Sequence, residues 1–358
     1  MVNQPTDVEL TAMRHAAELA STVAGRTSPN PPVAAVILAA DGRLVGQGVT
    51  QPHGHQHAEV MALAAAGELA RGGTAVVTLE PCNHTGQTGP CTEALLAAGI
   101  VRVVYAADDP NPVAAGGAER LRRAGLQVLG GIEERLVSDA ALGPWLHAVV
   151  HARPFVTWKF AATLDGRAAA ADGSSRWISN PISRADVHRL RGRVDAVLVG
   201  SGTVLADDPQ LTVRIGQPDG TELLADHQPL RVLLDRRHRV GKEARIFDDA
   251  AETLVLDTAV PRFACKALFD RGVRHLLLEG GPTLAGAFLE AGLIDEVVAY
   301  LAPKLLGAGT TVLEDAGITT MSDAVSLEIG EVSRLGDDLK VVGRPVPAEV
   351  PTGRGRDS

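Results

Sequence analysis

The sequence predicts two α/β domains in tandem, and three observations carry that prediction. The chain has 358 residues, enough for two domains of ordinary size. Strand-like segments alternate with single helical stretches in both halves, the pattern of a sheet with a parallel portion. A helical stretch over Glu133–Val150 leads into Arg153-Pro154, where the boundary falls. The expected domains are residues 1–150 and 151–345, with a disordered tail over 346–358 rich in Pro, Gly and charge.

In the first domain a helix is expected over about Asp7–Ala24. A hairpin of Val33–Leu38 and Leu44–Gly48 follows, turned by Asp41-Gly42. Then come an apolar helix from Ala58 to Ala66, strand Thr74–Leu79, and a helix over Thr92–Ala98 that Pro90-Cys91 opens and Gly99 stops. Strand Val101–Ala106, a helix near Ala118–Ala124 and strand Leu126–Leu129 complete the alternation.

In the second domain the expected strands are Phe155–Ala161, Ala196–Gly200, Arg231–Asp235, Thr253–Leu256, His275–Glu279 and Glu296–Leu301, closed by late strands near Ser326–Glu331 and Leu339–Val342. Asn180-Pro181 has the N-cap and N1 chemistry of a helix start, with the helix running to about Leu190. No internal repeat is visible, and no G-x-G-x-x-G marks a Rossmann domain.

Composition narrows the function classes. Hydrophobic residues make up 45% but aromatics only 3%, so the cores are aliphatic. Net charge is −9, with 43 acidic against 34 basic side chains, which opposes nucleic-acid binding. Arginine clusters at 120–123, 189–193 and 236–239 read mostly as solvated faces. No run of 18 apolar residues exists to span a membrane, and MVNQPTDVEL lacks the features of a signal peptide. Three cysteines imply a reducing compartment, so a cytoplasmic location is expected. Cys265, alone in PRFACKALF, reads as a buried small apolar side chain.

The chemistry-bearing pattern is His57-Ala58-Glu59, then Pro81-Cys82, then Cys91 after eight intervening residues. One imidazole and two thiols are the ligand set of a catalytic Zn²⁺ that keeps a fourth position open. Such an ion lowers the pKa of water to about 7, and Glu59 is placed to ferry protons to a ring nitrogen and a leaving amine. Nucleobase deaminases carry this arrangement with a two-residue gap between the cysteines, so the spacing here is a variant. A helix start favours thiolate at Cys91. Residues two apart do not share a helix face, so His57 and Glu59 must both enter the site from the first turn. A structural zinc site would need a fourth protein ligand, for which His84 and His55 are the candidates.

Taken in order, H-A-E, E-P-C-N-H-x-G-x-T-x-P-C, W-K-F-A-A-T-L-D-G-R, L-A-D-D-P-x-L-T-V-R, E-G-G-P-T-L and A-P-K-L-L-G resemble the bifunctional deaminase–reductase family of riboflavin biosynthesis. The likeness covers about residues 10–343. It implies a cytidine-deaminase-like three-layer domain followed by a dihydrofolate-reductase-like domain. The implied reactions are zinc-dependent removal of the 2-amino group of 2,5-diamino-6-ribosylamino-4(3H)-pyrimidinone 5′-phosphate, then NADPH-dependent reduction of the ribosyl group to ribityl. A homo-oligomer, dimer or tetramer, is the family expectation.

Residues carry over motif by motif. The resemblance makes His57, Cys82 and Cys91 the metal ligands, Glu59 the catalytic acid–base, and Asn30, His84, Asp109 and Asn111 substrate contacts. In the second half it implies substrate contacts at Lys159, Ser179, Arg191, Asp207, Arg214 and Glu279, with Asp165 in the Lys159 cluster. Arg191 and Arg214 resemble a phosphate clamp, since guanidinium forks match phosphate oxygens. NADPH contacts are implied at Ser174 and Trp177, in a loop of Gly200, Ser201 and Thr203, and at Gly280, Gly281, Pro282 and Thr283, where a helix start can hold an anion.

Three departures stand out: Gln87 in place of a basic residue, Thr50 in place of a common His, and Ala34 in place of Gly. Gln87 lacks a charge for the substrate phosphate, for which His53 or His55 could compensate. These departures motivate an alternative, a monofunctional reductase whose deaminase half keeps zinc but binds substrate poorly.

Overall fold

The computed structural model describes residues 4–85, 89–217 and 221–346. The expected tail beyond 346 lies outside them. By contact the chain divides into two compact units: Met1–Phe155 with Leu190–Ala196 and Cys265–Leu276, and the remainder.

The first unit opens with α1 (Asp7–Ser21), shorter at its end than expected. Thr6 and Glu9 form a reciprocal capping box at its start. Glu9 is also buried and takes the Arg102 guanidinium at 2.6 Å, fastening α1 to the sheet. The sheet contains β1 (Ala34–Leu38) and β2 (Leu44–Val49), the expected hairpin. Next along the chain are α2 (Ala58–Ala66), β3 (Thr74–Leu79), α3 (Cys91–Ala97), β4 (Arg102–Ala107), α4 (Gly117–Arg123) and β5 (Gln127–Leu129).

Strand order is β2-β1-β3-β4-β5. β1 runs antiparallel to both neighbours, and β3, β4 and β5 are parallel. Helices crossing between parallel strands bury both sheet faces, so β1 and the last five residues of β3 and β4 are fully buried. Met13, Ile37, Leu95, Leu121 and Leu142 fill the core, each side chain contributing about 1.5–3 kcal/mol.

Glycine sets how closely α2 approaches. A Cβ at Gly46 would stand 2.3 Å from the Ala62 carbonyl oxygen, and one at Gly48 2.6 Å from that of Ala58. An alanine-rich helix lies on a strand without side chains at these points, which fixes the height of the residues at its start.

The helix expected over Glu133–Val150 is interrupted. It becomes α5 (Glu134–Val137), a π turn over Ser138–Leu142, and α6 (Gly143–His151). Pro144 has no N–H to donate into the preceding turn, so the hydrogen-bond ladder resets there.

A second sheet of eight strands has the order β11-β10-β7-β12-β6-β13-β15-β14. In chain order its strands and helices are β6 (Phe155–Thr163), α7 (Pro181–Arg191), β7 (Ala196–Gly200), α8 (Ser201–Asp207), β10 (Leu230–Leu234), β11 (Thr253–Leu256), α9 (Pro261–Asp270), β12 (His275–Leu278), α10 (Pro282–Glu290), β13 (Glu296–Ala302), β14 (Leu327–Leu335) and β15 (Asp338–Pro345). Between β7 and β10 in sequence, a separate two-stranded ribbon pairs β8 (Arg214–Gly216) with β9 (Glu222–Leu224). β6 is parallel to β13, and β10 to β11, while β15 is antiparallel to both β13 and β14.

Asn180 caps α7 as expected, its Oδ1 accepting from the Ser183 N–H at 3.0 Å. Two features differ from the sequence reading. Ser201–Asp207 is helical where a loop was expected, because Gly200 caps it in extended conformation. The β8–β9 ribbon was not expected, since three-residue strands carry no readable alternation. Cys265 is fully buried in α9, as expected.

Candidate functional site

His57 is the N-cap of α2, with φ −77° and ψ 163°. It therefore lies outside the helical periodicity, which is how His57 and Glu59 reach one site although two residues apart. Cys82 follows the end of β3 through Glu80-Pro81, and Cys91 opens α3 with Pro90 as its N-cap. The ligand atoms of His57, Cys82 and Cys91 all lie within 4.8 Å of one another. His57 Nδ1 is 3.5 Å from the Cys82 Sγ and 3.3 Å from the Cys91 Sγ.

Neighbouring bonds hold this cluster. The Cys91 N–H donates to the Cys82 sulfur at 3.5 Å, and Thr92 Oγ1 donates to Asn83 Oδ1 at 3.2 Å. Glu80, buried, accepts the N–H groups of Ala118 at 2.8 Å and Asp109 at 3.3 Å. A Cβ at Gly117 would fall 1.7 Å from the Pro81 oxygen, so only glycine lets α4 start against the metal loop.

The electrostatics suit a divalent cation. A hydrogen bond from the Cys91 thiol brings Cys82 down to about 4, and the same bond with burial drives Cys91 upward. One thiolate alone therefore opposes a second, and a soft cation relieves that opposition by taking both sulfurs as thiolates. Burial, then the Cys82 thiolate, pushes the Glu59 carboxyl up to about 7. Among the described residues neither His84 nor His55 joins the ligand group. Three ligands with an open side fit a catalytic zinc rather than a closed structural one.

The open side faces a cavity of about 170 Å³. His57, Glu59 and Cys82 share its wall with Asn30, His84, Asp109 and Asn111, the four substrate contacts expected from sequence. Burial raises the Asp109 carboxyl to about 6, and its Oδ1 accepts the Asn111 N–H at 2.9 Å. His84 Nδ1 is buried and has no hydrogen-bond partner, leaving it open to a ligand. Trp145 of α6 closes one side, its Nε1 donating to the Pro29 oxygen at 3.0 Å. Glu80 and Trp145 were missed from sequence. The E of E-P-C was the available signal for Glu80.

Of the departures, Thr50 lines the cavity, but its hydroxyl is engaged with the Val33 backbone, accepting from the N–H at 3.2 Å. Ala34 is buried in β1. Gln87 lies outside the described residues. His53 Nδ1 is 3.2 Å from Asn30 Oδ1, whereas His55 is exposed and off the cavity wall.

In the second unit a cavity of about 780 Å³ is bounded by strand ends. Lys159, Asp207 and Glu279 line it, with Gly200, Ser201 and Thr203 at the β7–α8 junction and Gly280, Gly281, Pro282 and Thr283 at the start of α10. Lys159 Nζ and Glu279 Oε2 pair at 3.4 Å with both side chains largely buried. Thr203 Oγ1 accepts the Gly281 N–H at 3.0 Å, tying the two glycine turns together.

Other sequence candidates lie off this wall. Ser174 is exposed and donates its N–H and its hydroxyl to Asp172 Oδ1, and the exposed Trp177 ring stacks under Arg184 at 4.4 Å. Ser179 offers its carbonyl to Arg184 at 2.8 Å. Arg214 pairs with Glu222 at 3.0 Å and lies 3.3 Å from His188 Nε2. Arg191 ends α7, outside the residues that line the cavity. Asp165 accepts from Thr163 Oγ1 and from the Leu306 and Gly307 N–H groups, holding that loop. Arg236, Arg237 and Arg239, expected as a solvated face, are exposed and also line the cavity. A charge run looks alike in sequence whether a strand ends in water or at a cavity mouth.

Comparison with known proteins finds a match for each half of the chain. The cytidine and deoxycytidylate deaminase zinc-binding region matches residues 7–107, and the RibD C-terminal domain matches residues 154–341. Riboflavin biosynthesis protein RibD of Mycobacterium tuberculosis is 50% identical over 328 residues, covering 92% of this chain and 95% of that protein. RibD of Escherichia coli is 41% identical over 356 residues, covering 91% and 96%. The crystal structure of the Thermotoga maritima diaminohydroxyphosphoribosylaminopyrimidine deaminase/5-amino-6-(5-phosphoribosylamino)uracil reductase superposes with a TM-score of 0.86 at 35% identity, covering 95% of this chain and 99% of that one.

Proposed function

The chain belongs to the RibD family of bifunctional riboflavin-biosynthesis enzymes, a zinc-binding deaminase domain joined to an NADPH-using reductase domain, and on that premise we propose how its own residues carry the two reactions. The monofunctional alternative is not favoured, because both halves match and the chain covers RibD relatives almost end to end.

The substrate assigned to the first site is 2,5-diamino-6-ribosylamino-4(3H)-pyrimidinone 5′-phosphate, which loses its 2-amino group as ammonia. His57, Cys82 and Cys91 would hold a zinc ion, which would supply the Lewis acidity that lowers the pKa of water to about 7. Glu59, with its carboxyl near 7, takes a first proton from the attacking water and gives it to the ring nitrogen, then takes a second from the added hydroxyl and gives it to the departing amine. Asn30 presents an amide that donates to and accepts from a pyrimidinone edge. His84 Nδ1, Asp109 and Asn111 hold the remaining polar groups of the ring substituents.

The second cavity would hold NADPH, which would supply the hydride that reduces the ribosyl group to ribityl. The nine-residue helix α10, with Pro282 at its first turn, directs N–H groups at the cofactor phosphates. Glu279 orients the Lys159 ammonium toward the substrate, and Asp207 provides the proton for the opened sugar. The family resemblance further assigns Ser179, Arg191 and Arg214 to the substrate and Ser174 and Trp177 to the cofactor.

The cluster of one imidazole and two thiols beside a fully buried carboxylate carries the reading. Incubating the diamino pyrimidine nucleotide with the protein, with and without NADPH, tests it by product mass. The expected result is the deaminated ribosyl compound alone without NADPH and the ribityl compound with it; an unchanged substrate in the zinc-loaded protein contradicts the scheme.

No helix of the described residues is long and apolar enough to cross a membrane. Cys82, Cys91 and Cys265 form no disulfide, which suits a reducing cytoplasm. Along the sheet edge, β14 exposes Ile329 and Val332 by 50% and 63%, which supports self-association into a homo-oligomer. Light scattering of the purified protein, read for a mass above that of one chain, checks this.

A further inference from the structure

The turn that carries Asn30 into the deaminase cavity is braced by residues far along the chain. The turn first closes on itself. The Asn30 N–H donates to the Thr27 carbonyl at 3.0 Å, and Thr27 Oγ1 donates to the Asn30 carbonyl at 3.0 Å. A four-residue turn bonded twice within itself moves as one body, so whatever holds Ser28 and Pro29 also sets where the Asn30 amide stands. Trp145 holds one point, through the Pro29 carbonyl. Asp195 holds the other. Its carboxylate takes the Ser28 hydroxyl, and its Oδ2 accepts the N–H groups of Arg274 at 2.7 Å and His275 at 2.9 Å. Close packing accompanies these bonds. A Cβ at Gly25 would fall 2.8 Å from the Val194 oxygen, and one at Gly272 would meet the Pro29 ring at 3.5 Å.

These residues divide differently by sequence and by contact. Asp195, Gly272 and His275 fall within residues 154–341, the match to the RibD C-terminal domain. By contact, Leu190–Ala196 and Cys265–Leu276 belong to the first unit, with the deaminase cavity. We propose that Ser28 and Asp195 are positioning residues of the deaminase site: Asp195, through the Ser28 hydroxyl, fixes the place of the Asn30 turn and with it the reach of the Asn30 amide to the pyrimidinone edge. Three donors converge on one carboxylate, two of them backbone N–H groups, so the acceptor is itself held in place. Misplacing a recognition group by about 1 Å is enough to weaken a hydrogen bond to substrate severely.

The proposal rests on reading Asn30 as a contact to the substrate ring. Steady-state ammonia release from the diamino pyrimidine nucleotide by the zinc-loaded full chain tests it. Ser28→Ala should raise KM by about 3- to 10-fold and leave kcat within about two-fold, because a contact made equally in ground and transition states moves KM alone. Zinc content and NADPH-dependent reduction should not change. Ser28→Thr keeps the hydroxyl and should return KM toward that of the wild type. Asp195→Ala should raise KM at least as far, and adding Ser28→Ala to it should change nothing more, since both remove one bond. If Asp195→Ala fails to fold, the two Ser28 variants decide alone. An unchanged KM in Ser28→Ala, a fall in kcat without a rise in KM, or additive effects of the two alanines overturns the proposal. Asn30→Ala tells the two readings apart: if it raises KM while Ser28→Ala does not, the proposal alone fails, and if it leaves KM unchanged the reading of Asn30 fails with it.

Discussion

Titratable side chains make up a larger share of the wall of the deaminase cavity, about 170 Å³, than of the reductase cavity, about 780 Å³, where glycine and alanine are more frequent. In the small site each function rests on a single atom: one Nδ1, two sulfurs, one carboxylate. In the large site binding is spread over several strand ends. Single substitutions should therefore switch the first chemistry off and only scale the second.

Cys82→Ala is the largest expected effect. It removes one of three ligands, so bound zinc and ammonia release should both fall to background by metal analysis and ammonia assay. Reduction of the deaminated intermediate should survive. If reduction collapses equally in a folded protein, the independence of the two sites is wrong.

Packing beneath the metal gives the next effect. Gly46→Val drives a side chain into the Ala62 carbonyl and should cost about 1–3 kcal/mol in denaturant unfolding. Since α2 carries Glu59 and is capped by His57, zinc affinity should fall with stability. A stable variant with unchanged zinc affinity would show that helix height is unimportant.

Thr203→Val removes the acceptor of the Gly281 N–H. A net loss of about 0.5–1.5 kcal/mol, up to roughly ten-fold in NADP⁺ affinity, is expected with no change in ammonia release. An effect on deamination instead would break the contrast between the cavities.

A further effect is electrostatic and far from both reactions. Burial opposes the Glu9 carboxylate, but the Arg102 bonds and the Thr6 N–H together hold its pKa below the ordinary 4.5. Its stabilisation is present above that ordinary value and lost as pH falls through the lower folded value. Thermal melts should show the wild type ahead of Glu9→Gln by about 1–3 kcal/mol at neutral pH. The gap should narrow below about pH 4; a gap independent of pH would assign the effect to packing.

How much the sequence revealed follows the same division. His57, Cys82 and Cys91 were legible because each stands at an element edge marked by proline or by a change of periodicity. The start of α10 was legible from Gly280-Gly281-Pro282. Other features depend on contacts distant in sequence. Glu80 gains its role from Ala118 and Asp109, and Arg236 and Arg237 face a cavity only because β10 lies beside β7. The α8 helix and the β8–β9 ribbon are too short for periodicity to show.

The most direct test of the central claim is Glu59→Gln, assayed in parallel for zinc content, ammonia release and NADPH-dependent reduction of the deaminated intermediate. The account predicts full zinc, ammonia release lower by about 10²- to 10⁴-fold, and unaltered reduction. Ammonia release within a few-fold of wild type, with zinc retained, would contradict it.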